Sequence, residues 1–91
     1  MAHHKSAEKR IRQNKILNMR NKARRTRVRN AVKAVRLAVE KGDLEAARTA
    51  YQSMVPVVDK MVGLGILHKN KAARTKSRLN QQIHTMSLKA E

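Results

Sequence analysis

Residues 40–47, Glu-Lys-Gly-Asp-Leu-Glu-Ala-Ala (EKGDLEAA), form the clearest break in a sequence otherwise rich in helix formers. Gly42 supplies the left-handed conformation that closes a helix at its C′ position. Asp43 supplies a side-chain oxygen to cap the next helix, and Glu45 falls in its first turn, where the helix dipole favours an anion. The stretch therefore predicts two helices joined by a tight reversal, and both neighbours can be read from it. Upstream, at about 100° per residue, Val28, Ala31, Val32, Val35, Ala38 and Val39 line one stripe, with Arg29, Lys33 and Arg36 along its edge. Downstream, Leu44, Ala47, Tyr51, Met54, Val58 and Met61 step by three and four, the spacing of a bundle seam.

Pro56 interrupts that seam. A proline inside a helix removes a hydrogen bond and strains the carbonyl four residues back, here that of Gln52, at a cost of about 3 kcal/mol. Because the apolar rhythm continues to Met61 and Val62, a kink is expected and not a stop, with Gly63-Leu64-Gly65 closing the helix in a turn. A third helix is predicted to begin between His68 and Asn70. Ala72, Leu79, Ile83 and Met86 cluster on its packing side, and Lys71, Arg74 and Arg78 form a stripe on the opposite side. Ala72 and Ala73 read as packing or close-approach positions, and Tyr51 as core. A first helix over about residues 5–41 would be roughly 55 Å long at about 1.5 Å per residue, far longer than its two partners. The expected fold is all-α: a three-helix bundle with a long basic N-terminal helix projecting beyond it, in a single domain with an arm over about residues 1–27 and a bundle over about residues 28–91.

Charge points to the partner. The 91 residues carry 22 Lys and Arg against 6 Asp and Glu, a formal charge of +16. That is more than solubility requires and enough to oppose compaction by self-repulsion. It is also unevenly placed: residues 1–36 are net +12, residues 37–66 net −1 and residues 67–91 net +5. A middle that packs and ends that bind a polyanion account for this division. In the arm, Arg20, Lys22, Arg24, Arg25, Arg27 and Arg29 fall all round the helix and leave no continuous apolar face to dock on protein. Like charges at i, i+4, such as Arg20 with Arg24 and Arg25 with Arg29, each oppose helicity by about 0.2–0.5 kcal/mol. The arm is thus expected to fray alone and to be ordered by counter-charge. In residues 68–80 (HKNKAARTKSRLN) five cations stand with no acid, so a merely solvated face is the weaker reading.

Other chemistries find little support. Tyr51 is the only aromatic residue, so stacking platforms for unpaired bases cannot be built, and with no cysteine there are neither disulfides nor thiolate metal sites. The longest nearly apolar run, residues 61–67, is far short of the roughly 20 residues that span a bilayer. The basic N-terminus lacks the apolar segment of a secretory signal, and its scarcity of serine argues against an organellar transit peptide. His3 and His4 lack carboxylate or thiol partners, and His68 and His84 lack a third ligand, so helix-start or surface roles suit the latter pair better. Glu40, Asp43 and Glu45 surround a helix junction, where capping explains them. No nucleophile, base and orienting group can be assembled, and no cofactor, metal, small-molecule substrate, membrane or homo-oligomer is expected. A DNA-binding nucleoid or transcription-associated protein remains the main rival, although no helix-turn-helix spacing is evident.

Four segments in order, HKSAEKRIRQN (4–14), NKARRTRVRNAVKAV (21–35), GDLEAA (42–47) and LHKNKAARTKSRLN (67–80), resemble the family of the bacterial small-subunit ribosomal protein numbered twenty, over nearly the whole chain. The last of these is the most specific. Glu8, where a cation is expected, and Leu64, where a lysine is more usual, depart from the pattern. The resemblance implies a cytoplasmic three-helix protein of the ribosome that binds 16S rRNA early in assembly, low in the subunit body, and joins the 5′ domain to the long penultimate stem. It also implies RNA-facing segments from Lys5 to Arg29 and from His68 to Arg78. The residues singled out by charge fall in the same two blocks: Lys5, Lys9, Arg10, Arg12, Lys15, Arg20, Lys22, Arg24, Arg25, Arg27 and Arg29, then His68, Lys69, Asn70, Lys71, Arg74, Lys76 and Arg78.

Overall fold

The computed structural model describes residues 2–90, with side-chain surroundings for residues 6–89. It contains three α-helices, α1 (Ala2–Glu40), α2 (Leu44–Gly63) and α3 (Lys69–Ala90). No strand occurs among the described residues. The overall dimensions, 72 × 22 × 15 Å, are those of a slender bundle with α1 running out beyond it.

The reversal at residues 41–43 has the hydrogen-bond pattern of a Schellman motif. The Asp43 N–H donates to the Ala38 carbonyl at 3.1 Å and the Gly42 N–H to the Val39 carbonyl at 3.1 Å, while Gly42 holds φ +74°. These bonds satisfy carbonyls that the end of α1 would leave without partners. Asp43 then caps α2, its Oδ1 accepting from the Ala46 N–H at 3.1 Å. The same motif recurs at the end of α2. There the Ile66 N–H donates to the Met61 carbonyl and the Gly65 N–H to the Val62 carbonyl, both at 3.0 Å, and Gly65 also holds φ +74°. Gly63, by contrast, is the last residue of α2, with φ outside the left-handed region. Of the two glycines in the Gly-Leu-Gly turn, only Gly65 makes the turn.

α2 runs through Pro56 without stopping. Pro56 and Gln52 are both exposed, so water can satisfy the carbonyl that the proline deprives of its partner. The core is small and mostly aliphatic. Val35 and Ala38 of α1, Ala47, Met54, Val58 and Met61 of α2, and Ala72, Leu79 and Ile83 of α3 are buried, and no polar or charged side chain is buried with them among the described residues. Ala38, Ala47 and Ala72 leave room for the helix axes to approach. Tyr51 is half-buried: it packs against this cluster and its hydroxyl donates to the Lys76 carbonyl of α3 at 3.3 Å. Ala73, expected at a packing position, is exposed while its neighbour Ala72 is 2% exposed. One helical step of about 100° separates the two faces. No described helix is long and apolar enough to cross a membrane.

A Cβ placed on Gly42, Gly63 or Gly65 meets no atom within 4 Å, so backbone conformation alone decides the effect of alanine at each. Gly42→Ala and Gly65→Ala are expected to destabilise the bundle by about 1–2 kcal/mol, and Gly63→Ala to be neutral or to stabilise it by up to about 1 kcal/mol. Urea unfolding followed by circular dichroism measures all three. A loss at Gly63 as large as that at Gly42 would contradict this account of the turns.

Candidate nucleic-acid interface

The candidate interface begins with the arm. Residues 6–20 of α1 are all exposed. They present Lys9, Arg10, Arg12, Lys15 and Arg20, and among them stand apolar side chains, Ile11 (55% exposed) and Met19 (72%), that no part of the bundle covers. Lys22, Arg25, Arg27 and Arg29 continue the exposed set, whereas Arg24 is half-buried beside the start of the packed stretch. The Lys5 side chain, like those of His3 and His4, lies outside the described residues.

Farther along α1 the cations become ordered into a stripe. Arg25, Arg29, Lys33 and Arg36 are spaced by four, four and three residues, which keeps them on one side of the helix. α3 supplies Lys71 to the opposite bank. Together these five cations line an open groove of about 400 Å³ whose floor includes Val28 and Val32 of α1, Val58 of α2, and Ile66 and Leu67 of the α2–α3 turn. No acidic residue lines it. The two basic blocks of the sequence, far apart along the chain, therefore share one cleft.

The start of α3 adds donors. His68 acts as its N-cap: the His68 carbonyl accepts from the Ala72 N–H at 3.0 Å, and Nδ1 accepts from the Asn70 N–H at 3.1 Å. Lys69 and Lys71 then occupy a first turn that contains no acid. Cations at a helix N-terminus oppose its dipole, a cost of about 0.3–1 kcal/mol each that an anion bound there would reverse. His68, Lys69, Asn70, Lys71, Arg74 and Arg78 are all exposed.

Lys76 differs from the others in its block. It is turned toward α2, where its Nζ pairs with the Asp59 Oδ1 at 2.8 Å. Its sequence block contains no acid, so the pairing was hidden from a reading confined to α3. Conversely, Lys33 and Arg36 line the groove although only their place beside the valine stripe was evident in the sequence. Extending the spacing of Arg25 and Arg29 by one further turn reaches Lys33, and by two turns Arg36. Among the described residues no three His, Cys, Asp or Glu side chains come together in a way that could hold a metal ion.

These features define a class: small all-helical proteins that present cationic helix faces and a basic arm to a polyanion. The profile of the family Ribosomal protein S20 matches residues 2–84, and the chain belongs to that family. It is 53% identical over 83 residues to the small ribosomal subunit protein bS20 of Teredinibacter turnerae, covering 91% of this chain and 94% of the relative. It is 46% identical over 90 residues to the bS20 of Methylococcus capsulatus, covering 99% and 98%. To the bS20 of Geobacter metallireducens it is 49% identical over 86 residues, covering 94% and 99%.

The exposure of residues 6–20 has a measurable consequence. Without polyanion, their amides are expected to exchange with deuterium at least about tenfold faster than those of residues 28–39, which pack on α2. A polyanion should slow exchange in the arm selectively. Equal protection along α1 without polyanion would show that the arm needs no counter-charge.

Proposed function

We propose that this chain is a structural, non-catalytic constituent of the small ribosomal subunit that binds 16S rRNA directly and stabilises its folding during assembly, in the cytoplasm and as a single copy without cofactor or small-molecule substrate. The observation that carries this reading is the shared groove: cations from both basic blocks face one another across an apolar floor with no acid between them. In isolation such a juxtaposition is repulsive, and it becomes favourable only when a polyanion lies against it. The relatives' own names, small ribosomal subunit protein, supply the setting.

The division of labour follows the two parts of the chain. The bundle, about residues 28–91, fixes the groove and the α3 stripe, while the arm, about residues 1–27, extends the contact along the phosphates. Phosphates of converging RNA helices repel, and a cationic helix laid among them lowers that repulsion while releasing counterions. Arg25, Arg74 and Arg78 can fork onto phosphate oxygens in fixed geometry, whereas Lys69 and Lys71 act as compact point charges. A helix surface of this kind suits A-form RNA, whose deep, narrow major groove side chains read poorly and whose accessible face presents phosphates and 2′-hydroxyls.

Affinity for 16S rRNA is expected to fall steeply with salt, log K declining against log salt by about 0.7–0.9 per neutralised phosphate. Competition with duplex DNA at matched salt tests the rival role: equal affinity for the two would favour a DNA-binding protein. Within the α3 block, Arg74→Ala with Arg78→Ala is expected to weaken rRNA binding at least about tenfold while leaving melting nearly unchanged, since both side chains are exposed. Lys76→Met is expected to change affinity little and to cost at most about 1 kcal/mol of stability, because its charge is already paired with Asp59 on the surface. A larger effect on binding at Lys76 than at the arginine pair would reverse the assignment.

A further inference from the structure

α1 packs mainly on α2, and the seam between α1 and α3 is the least closed of the three. The cationic groove lies along this seam, and its floor calls for a reason separate from its rim. Val28, Val32, Ile66 and Leu67 are half-buried there beside the buried Val58. A phosphate chain neutralises the five cations of the rim but offers these aliphatic side chains little apolar surface. In a concave lining they gain by being covered with something apolar.

Rim and floor share one repeat. Arg25, Arg29, Lys33 and Arg36 are spaced by four, four and three residues and Val28 and Val32 by four. The stripe covers roughly 16 Å of α1 at about 1.5 Å per residue. A helix of about three turns laid alongside presents its own side chains with the same period. Apolar residues at its a and d positions fall on the floor. Acids at e and g then meet the α1 stripe on one side and Lys71 on the other. No acidic residue lines the groove, so each incoming carboxylate meets cations without a competitor. A second copy of this chain cannot supply such a helix, because α3 contains no acid and α1 and α2 contain two each.

We propose that, before rRNA engages it, the groove receives an acidic amphipathic helix of a protein partner, which becomes the fourth helix of the bundle. The proposal rests on the reading of the groove as part of the rRNA-binding surface and gives that surface a second, competing occupant. Both occupants relieve the repulsion among the same five cations, and the helix also covers the floor. The partner thus keeps the free chain's groove neutralised. rRNA displaces it because the arm and the exposed Arg74 and Arg78 add contacts outside the groove.

The test uses three synthetic polyanions titrated into the full chain. They are a peptide of about three heptads with Leu at a and d and Glu at e and g, a scrambled peptide of the same composition, and poly-L-glutamate. Calorimetry is expected to give the amphipathic peptide at least about tenfold higher affinity than either control. Its amide shifts should be confined to residues 25–36, Val58 and residues 66–75. Ile66→Gln, in the floor but away from the cations, is expected to weaken the peptide at least about fivefold and to leave 16S rRNA affinity within about twofold. Lys33→Glu with Arg36→Glu should weaken both. Melting curves check that Ile66→Gln keeps the fold, and the comparison of polyanions on the unaltered chain decides the matter without it. Affinities within about twofold for the amphipathic and scrambled peptides, or shifts centred on the arm, would overturn the proposal, since charge alone would then explain binding. Added 16S rRNA is expected to release the peptide. Simultaneous binding with the peptide still seated would leave the fourth-helix site standing and instead sink the groove's part in rRNA binding.

Discussion

Repulsion among like charges is the constraint around which this molecule is built. Arg25, Arg29, Lys33 and Arg36 run along one side of α1 and face Lys71 across a narrow groove. The i, i+4 pairs within α1 each oppose its helicity by about 0.2–0.5 kcal/mol. Lys69 and Lys71 at the start of α3 add an unfavourable interaction with the helix dipole. None of this has to be overcome by the bundle when phosphate lies in the groove. The near-neutral middle of the chain supplies Ala38, Ala47, Met54, Val58 and Met61 to the core, while the cationic blocks supply Val35, Ala72, Leu79 and Ile83 from helix faces turned away from their charges.

That core is correspondingly economical. With no Phe or Trp in the chain, the bulkiest fully buried side chains are Met54, Met61, Val35 and Val58. Three alanines let the helices approach closely. Two Schellman turns and one aspartate cap satisfy backbone groups at the helix ends without long loops. The Tyr51 hydroxyl and the Lys76–Asp59 pair then tie α3 to α2 at the surface. Packing at this scale holds the cationic surfaces in register.

Much of this was legible in the sequence, for reasons that can be named. Gly42 and Asp43 marked the first reversal because few other residues serve in those conformations, and the three-four spacing from Leu44 to Met61 marked the buried face of α2. Pro56 was correctly read as interior to a helix, since the apolar rhythm persists past it. What escaped were relations between helices. Lys76 looked like its basic neighbours because its partner, Asp59, belongs to α2. Lys33 and Arg36 looked like the margin of a packing stripe until α3 placed Lys71 opposite them. Ala73 looked equivalent to Ala72.

The continuity of α1 has a mechanical consequence. No glycine or proline occurs before Gly42, so once counter-charge has ordered the arm, arm and bundle are one rod with no hinge between them. Seating the bundle also aims the arm, and inserting a single residue near position 22 would swing every side chain upstream by about 100° relative to the groove while advancing it only about 1.5 Å. Length in this helix is thus coupled to direction. The two short connections, at residues 41–43 and 64–68, carry no such coupling to the arm, and evolutionary gain or loss of residues should be confined to them and to the chain ends.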